Sequence, residues 1–279
     1  MFPVLAAERY LLPLREGGSL PAVVDTEAGR YAVKFIGAGQ GARALVAELI
    51  VAGVAGALGL PVPETVIVQV TEGFGRAEPD PEIQDILRGS AGPNVGLRFI
   101  DGALPYDPVA AADLIDAELA AEIVWLDALV TNVDRTARNP NMLVAGQPPT
   151  ISLIDHGAAL YFHHDWPSVT DDRARAPFAA ISEHVLLPRA SSIVEADDRL
   201  ASHLDPDAVH GVLESIPGDL LMHVPPGHRP AFSDAGAHRQ AYARWFTARL
   251  EAPRAWAASA EAARVAALAA PRRPLAYRR

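Results

Sequence analysis

The chain contains no cysteine, which excludes disulfides and thiolate metal sites. No uninterrupted apolar run reaches about 18 residues, so a membrane-spanning helix is not expected. Met1-Phe2-Pro3-Val4 lacks the basic start of a signal peptide, and a cytoplasmic location is the expectation. Positive charge is scarce: 24 Lys and Arg stand against 34 Asp and Glu, a net charge of −10. A direct nucleic-acid partner would require a basic face and is not expected. Two narrower scarcities say more. Lys34 is the single lysine, and of four asparagines three fall between Asn132 and Asn141. A chain that otherwise uses Arg has kept one compact, flexible ammonium. Half of the 279 residues are hydrophobic, enough core for one two-lobed domain or two small ones.

The three asparagines lie in the segment that organises the rest, 130–157. Two short apolar runs, Met142–Ala145 and Thr150–Ile154, flank Gly146-Gln147-Pro148-Pro149, which is turn chemistry between two strands. Asp134, Asn139 and Asn141 precede the first strand and Asp155 follows the second. A hairpin returns the chain to its start, so Asp155 should arrive beside Asn139. A carboxylate and an amide oxygen held together suit a hard cation such as magnesium. Asp134, five residues before Asn139, is then placed to take a proton from a hydroxyl. Asp-x-x-x-x-Asn, a hairpin and Asp-x-Gly form the layout of a phosphotransferase catalytic loop and its metal-binding turn. The plainer alternative is that these residues only cap turns.

Upstream, 11–30 reads as a β-hairpin with the short glycine turn Gly17-Gly18-Ser19, whose amides could approach phosphate oxygens. The strand Arg30–Ile36 carries Lys34. Gly37-Ala38-Gly39-Gln40-Gly41-Ala42 follows, then a helix from about Arg43 to Leu58. That passage also fits the G-x-G-x-x-G/A dinucleotide fingerprint, so an NAD(P)-dependent Rossmann oxidoreductase is a rival. Against it, Glu64 precedes the strand Thr65–Val70, where a ribose-binding acid should follow one. The helix offers another use. Glu48, 14 residues after Lys34, could hold the lysine against nucleotide phosphates, while Leu45, Leu49 and Ala52 face the core.

The acidic, turn-rich stretch 72–92 reads as a surface insertion with solvated charges and room for one helical turn around Ile83–Leu87. Val95–Ile100 is a strand. Beyond it, 101–105 is where two lobes would join and an adenine could bond the backbone. A strongly amphipathic helix is expected over Asp113–Val130, and helices over Asp205–Ile216 and Gly236–Leu268, the last interrupted at Pro253. His163-His164-Asp165 is a weak metal candidate with no evident third ligand. His184 has no partner identifiable from sequence.

Lys34 in Val-Lys-Phe, Glu48, Asp134-Arg135-Thr136-Ala137-Arg138-Asn139 and Leu153-Ile154-Asp155-His156-Gly157 together resemble the HipA-like branch of the protein-kinase-like superfamily. The resemblance covers about 17–184. It departs from ordinary protein kinases in Asn132-Val133-Asp134 for His-Arg-Asp, Asp-His-Gly for Asp-Phe-Gly, and a short glycine turn. It implies an α+β, two-lobed kinase-like fold: a small β-rich N-lobe with one helix over 1–103, and a mostly helical C-lobe over 104–279. It implies ATP and magnesium as cofactors. Asp134 is the implied catalytic base, and Asn139 and Asp155 the metal ligands. Lys34, supported by Glu48, and the Gly17-Gly18-Ser19 turn would bind the phosphates. The acceptor would be a hydroxyl, on a protein Ser/Thr or a small molecule. A kinase-like module that binds a nucleotide or partner without turnover is the second alternative.

Overall fold

Short β-branched runs separated by glycine turns leave the N-terminal third little choice but strands. In the computed structural model, which describes residues 1–14, 20–225 and 227–270, they form a six-stranded sheet. Its strands are β1 (Val4–Ala6), β2 (Arg9–Pro13), β3 (Ala22–Thr26), β4 (Gly29–Lys34), β5 (Thr65–Val70) and β6 (Gly92–Arg98), in the order β1-β5-β6-β4-β3-β2. Only β1 and β5 run parallel. The turn into β4 uses Gly29 at φ +110°, a conformation open to glycine. The Gly17-Gly18-Ser19 turn lies outside the described residues.

Alternation along the strands gives the sheet two apolar faces. Tyr31 and Val33 on one face share a small core with Val66, Val68, Ile83 and Leu87. Val95 and Ile67 face the other way, into the main core with helix α1 (Gly41–Ala57). Lys34 is paired in register with Val95, so it sits on the α1 face, at the end of its strand.

This topology rules out the Rossmann reading of Gly37–Ala42. That fingerprint needs β4 at the centre of a parallel sheet, and β4 is antiparallel to both neighbours. The glycines have a packing explanation. The stretch 72–92 contains an amphipathic helix, α2 (Pro81–Arg88), capped by Asp80, with Ile83 and Leu87 buried. It is therefore a second helix of the β-rich part, packed into it, where a solvated insertion and a single helix were expected. Gly37 lies against α2 so closely that a Cβ there would stand 2.4 Å from the Ile86 carbonyl. Its amide donates to Ser90 Oγ (3.0 Å), and the Ile36 amide to Asn94 Oδ1 (2.8 Å).

The remainder is mostly helical. A second, three-stranded sheet comprises β7 (Leu104–Pro105), β8 (Met142–Ala145) and β9 (Thr150–Leu153). The helices are α3 (Ala117–Leu129), α4 (Asp171–Arg175), α5 (Ile193–His203), α6 (Pro206–Glu214), α7 (Gly218–Met222), α8 (Ala235–Leu250) and α9 (Ala255–Ala269). α3 departs from expectation. Residues 112–114 form a separate 3-10 turn, and α3 begins after Asp116, whose carboxylate caps the Leu119 amide at 2.8 Å. It is not amphipathic: from Ala120 to Leu129 only Glu122 escapes full burial. A helix apolar on all sides is a central helix, and α3 is the post on which the 130–157 segment is mounted.

One buried cation fixes the end of that post. Arg249 lies between the Trp245 and Trp256 rings, its guanidinium carbon 5.2 and 5.1 Å from their centroids. It donates to the Ala128 and Leu129 carbonyls at 2.6 Å each, and to that of Ala174 at 2.6 Å. It thereby satisfies carbonyls that the last turn of α3 leaves without helical partners. Burial pushes its pKa down to about 9.

Candidate active site

The expected hairpin is present. β8 and β9 pair with Met142 opposite Leu153, and the Ile154 amide donates to the Asn141 carbonyl at 3.0 Å. That register delivers Asp155 to the mouth of the 134–141 loop. Asp155 itself has φ +58° and Asn141 φ +50°. Left-handed backbone is tolerated by Asp and Asn better than by most residues but still costs on the order of 1 kcal/mol. Strain of this kind is concentrated where a side chain must be aimed.

Lys34 Nζ meets Glu48, the carboxylate expected to hold it, and also Asp155, which was expected as a metal ligand. It contacts Glu48 Oε1, and it donates to Asp155 Oδ1 at 2.5 Å. Glu48 is fully buried in α1, so it is not a solvated residue of the helix surface. Its Oε1 also accepts from the Gly157 amide at 2.9 Å. A Cβ on Gly157 would stand 3.3 Å from Ala44 Cβ and 3.5 Å from Glu48 Oε1, so the glycine allows the turn to lie against α1. Burial alone would lower the Lys34 pKa. The Glu48 and Asp155 carboxylates outweigh it and raise the value, so the ammonium stays charged.

Asp134 is held by amides. Its Oδ2 accepts from Asn139 Nδ2 (2.8 Å) and Asn141 Nδ2 (3.1 Å), and its backbone amide donates to Asn132 Oδ1 (3.1 Å). All three clustered asparagines therefore serve one aspartate. Asn139 is exposed and Asn141 buried. Since Asn139 spends its amino group on Asp134, its carbonyl oxygen is left for a cation. A cleft of about 550 Å³ opens beside Lys34 and Asp155, which line it together with Ala32, Leu97, Ile100 and Leu143. Its wall also takes in Gly102 to Pro105, the stretch expected to face an adenine.

The geometry brings Lys34, Glu48, Asp155 and Gly157 into one connected group, and Asp134, Asn139 and Asn141 into another on the same hairpin. A family model described as HipA-like kinase matches residues 13–202. The chain belongs to the HipA-like kinase family. A comparison with curated proteins finds no match. Among solved structures the fold is similar to that of the Helicobacter pylori proinflammatory kinase CtkA. The TM-score is 0.52 at 13% identity, over 95% of this chain and 99% of that one. Membership supports a kinase-type phosphotransferase, and the similarity to a kinase structure supports the α+β architecture.

Beneath the site lies a buried polar network that spacing did not disclose. Asp127 of α3 is fully buried. Its Oδ1 accepts from Asn132 Nδ2 (2.9 Å), and its Oδ2 from Arg135 Nε (2.5 Å) and His184 Nε2 (2.9 Å). Burial would raise its pKa, yet Arg135 and His184 hold the carboxyl far below the usual range. His184 thus has a partner after all, 57 residues away. Burial and the Arg135 guanidinium lower the His156 pKa to about 3. The one signal available in sequence was Asp127 itself, an acid in an apolar helix.

The His163-His164-Asp165 metal candidate is not supported. His163 is buried with Nδ1 on the Tyr242 hydroxyl at 2.8 Å, and among the described residues no group of three or more His, Asp or Glu is arranged to hold a metal. Nor is any described helix long and apolar enough to cross a membrane.

Proposed function

We propose that this chain is an ATP- and magnesium-dependent phosphotransferase with two lobes meeting near 103–104, transferring the γ-phosphoryl group to a hydroxyl. The observation that carries the reading is Lys34 bonded at once to Glu48 and Asp155 beside the cleft. A buried charged lysine that reaches a metal-type aspartate is poised to exchange that carboxylate for nucleotide phosphate oxygens.

The donor set suits magnesium. Asp155 and the Asn139 carbonyl are hard oxygen ligands, and a magnesium site completes its shell with water and phosphate oxygens, so it needs no protein cage. When bound, the cation would neutralise charge on the transferring phosphates. Lys34 would grip the phosphates and Glu48 would hold Lys34 in place. Asp134, its Oδ2 fixed by two amides, would take the acceptor's proton through Oδ1. Transfer of this kind relies on positioning and charge stabilisation. The Gly17-Gly18-Ser19 turn is proposed as a phosphate cover. A protein Ser/Thr and a small hydroxylated molecule are the acceptor classes.

The test is ADP production from Mg-ATP by the purified chain and by Asp134→Asn. The wild type should turn over, and the variant should lose at least about 100-fold, the usual scale of a general base. Undiminished turnover by Asp134→Asn would contradict the assignment, and Mg-ATP binding without turnover would leave a kinase-like binding module.

A further inference from the structure

Arg135 follows the proposed base directly, yet its side chain is fully buried. Its donors reach three separate segments. Nε binds Asp127 of α3. Nη1 binds the Asn141 carbonyl at 2.5 Å, with that of Pro140 at 3.5 Å. Nη2 lies 3.2 Å from His156 Nδ1. Its backbone is pinned as well, since its carbonyl accepts from the Val185 amide at 3.1 Å and Thr136 bridges His184.

The hydrogen bonds fix the tautomers. A guanidinium only donates, so His156 Nδ1 accepts. The Leu186 amide donates to His184 Nδ1 at 3.1 Å, so the His184 proton is on Nε2, where it serves Asp127. Every contact of Arg135 is therefore satisfied with both histidines neutral.

Resting on the phosphotransferase reading, we propose that Arg135 is the positioning residue that sets the base loop and the metal-binding turn relative to each other. Each partner it holds is one step from a group that acts. Asp134 precedes it in the chain. Asn141, whose carbonyl it grips, places its amide on Asp134 Oδ2. His156, on its third arm, follows Asp155. Asp127 anchors the assembly to the central helix.

Stability does not require this device. A buried ion pair can often be replaced by apolar side chains without loss, and the buried residues of α3 other than Asp127 are apolar. What apolar packing cannot supply is a planar fork that addresses three segments in fixed directions. Lysine, a point charge, cannot supply it either.

The experiment compares kcat, KM for Mg-ATP and melting temperature, with ADP production as the probe, for wild type, Arg135→Lys, His156→Leu and His156→Asn. Arg135→Lys keeps a cation on Asp127 but loses the span. It should lower kcat about 100-fold, the scale of an ångström's misplacement of reacting groups, with KM within about threefold. His156→Leu should lose about tenfold in kcat. His156→Asn, whose amide oxygen can stand in for Nδ1 as acceptor, should recover most of it. A role in packing alone would leave kcat of the folded variants unchanged and would not separate Leu from Asn at 156. Either result overturns the positioning role, and the His156 pair decides should Arg135→Lys not fold. Wild type without turnover would overturn the phosphotransferase reading, and this role with it. Wild-type turnover matched by folded Arg135→Lys would overturn this role only.

Discussion

The site has a front and a back that are built differently. At the front, Asn139 is exposed, Asp155 is about two-fifths exposed and Lys34 is tied to Asp155 by one bond that a ligand could replace. At the back, Asp127, Arg135, His156 and His184 are all at least 95% buried. There Asp127 uses both carboxylate oxygens and Arg135 reaches four acceptors. The difference separates two jobs for the same residue types. Charges that meet a substrate must exchange partners. Charges that hold geometry must never lose theirs, because an unpaired buried charge is costly in a low dielectric.

Substitutions should sort by layer. Asp127→Leu is expected to have the largest effect on stability. It leaves the Arg135 guanidinium buried without a counter-ion and should cost about 3–5 kcal/mol in urea unfolding at pH 7. Asp134→Asn, at the front, should leave the unfolding midpoint close to wild type while turnover collapses. Equal destabilisation by the two would erase the distinction.

Glu48 sharpens the comparison, since it is buried like the back but serves the front. Glu48→Gln keeps the size and an acceptor oxygen but removes the charge opposing Lys34. It should lower kcat/KM for Mg-ATP about tenfold, with a stability loss of roughly 1.5–3 kcal/mol, the scale of a charged hydrogen bond. An unchanged kcat/KM would mean that Lys34 needs no support.

The smallest and broadest effect is on pH dependence. Burial lowers the pKa values of His156, His163, His184 and His238. The unfolded chain takes up those protons near the ordinary value of 6.5, whereas the folded chain does not. Stability is therefore fully present above pH 6.5 and declines as the pH falls toward the depressed folded values. Asp127 adds a second decline below its ordinary 3.8, because the folded carboxyl stays ionised while the unfolded one protonates. Melting temperatures should begin to fall near pH 6.5. A flat profile down to pH 4 would show that the histidines are not buried as described.

The front was legible in sequence because its signals are local. Asp134 to Asn139 is one loop, the hairpin to Asp155 is one turn, and Lys34 to Glu48 is a strand and the next helix. The back was not, because two of its bonds join residues 57 and 21 positions apart, and its shorter ones, from Asp127 to Asn132 and Arg135, follow no motif spacing. An acid such as Asp127 in a helix also reads as solvated until the helix proves to be central. The expectation of an amphipathic α3 fails for the same reason: its leucines mark one stripe, and only packing shows that its alanines, valine and tryptophan are buried too. Gly37–Ala42 misled in the opposite direction. A dinucleotide fingerprint and a close approach to α2 ask for the same residue, and strand direction alone separates them.

The most direct test of the central claim is thermal melting of wild type and Asp155→Ala, each with and without Mg-ATP. A ligand that binds only the folded state adds about 2.7 kcal/mol at ~100 times its Kd. The account predicts a magnesium-dependent rise for wild type that Asp155→Ala loses. An equal rise in both proteins, or a rise with ATP that ignores magnesium, would contradict it.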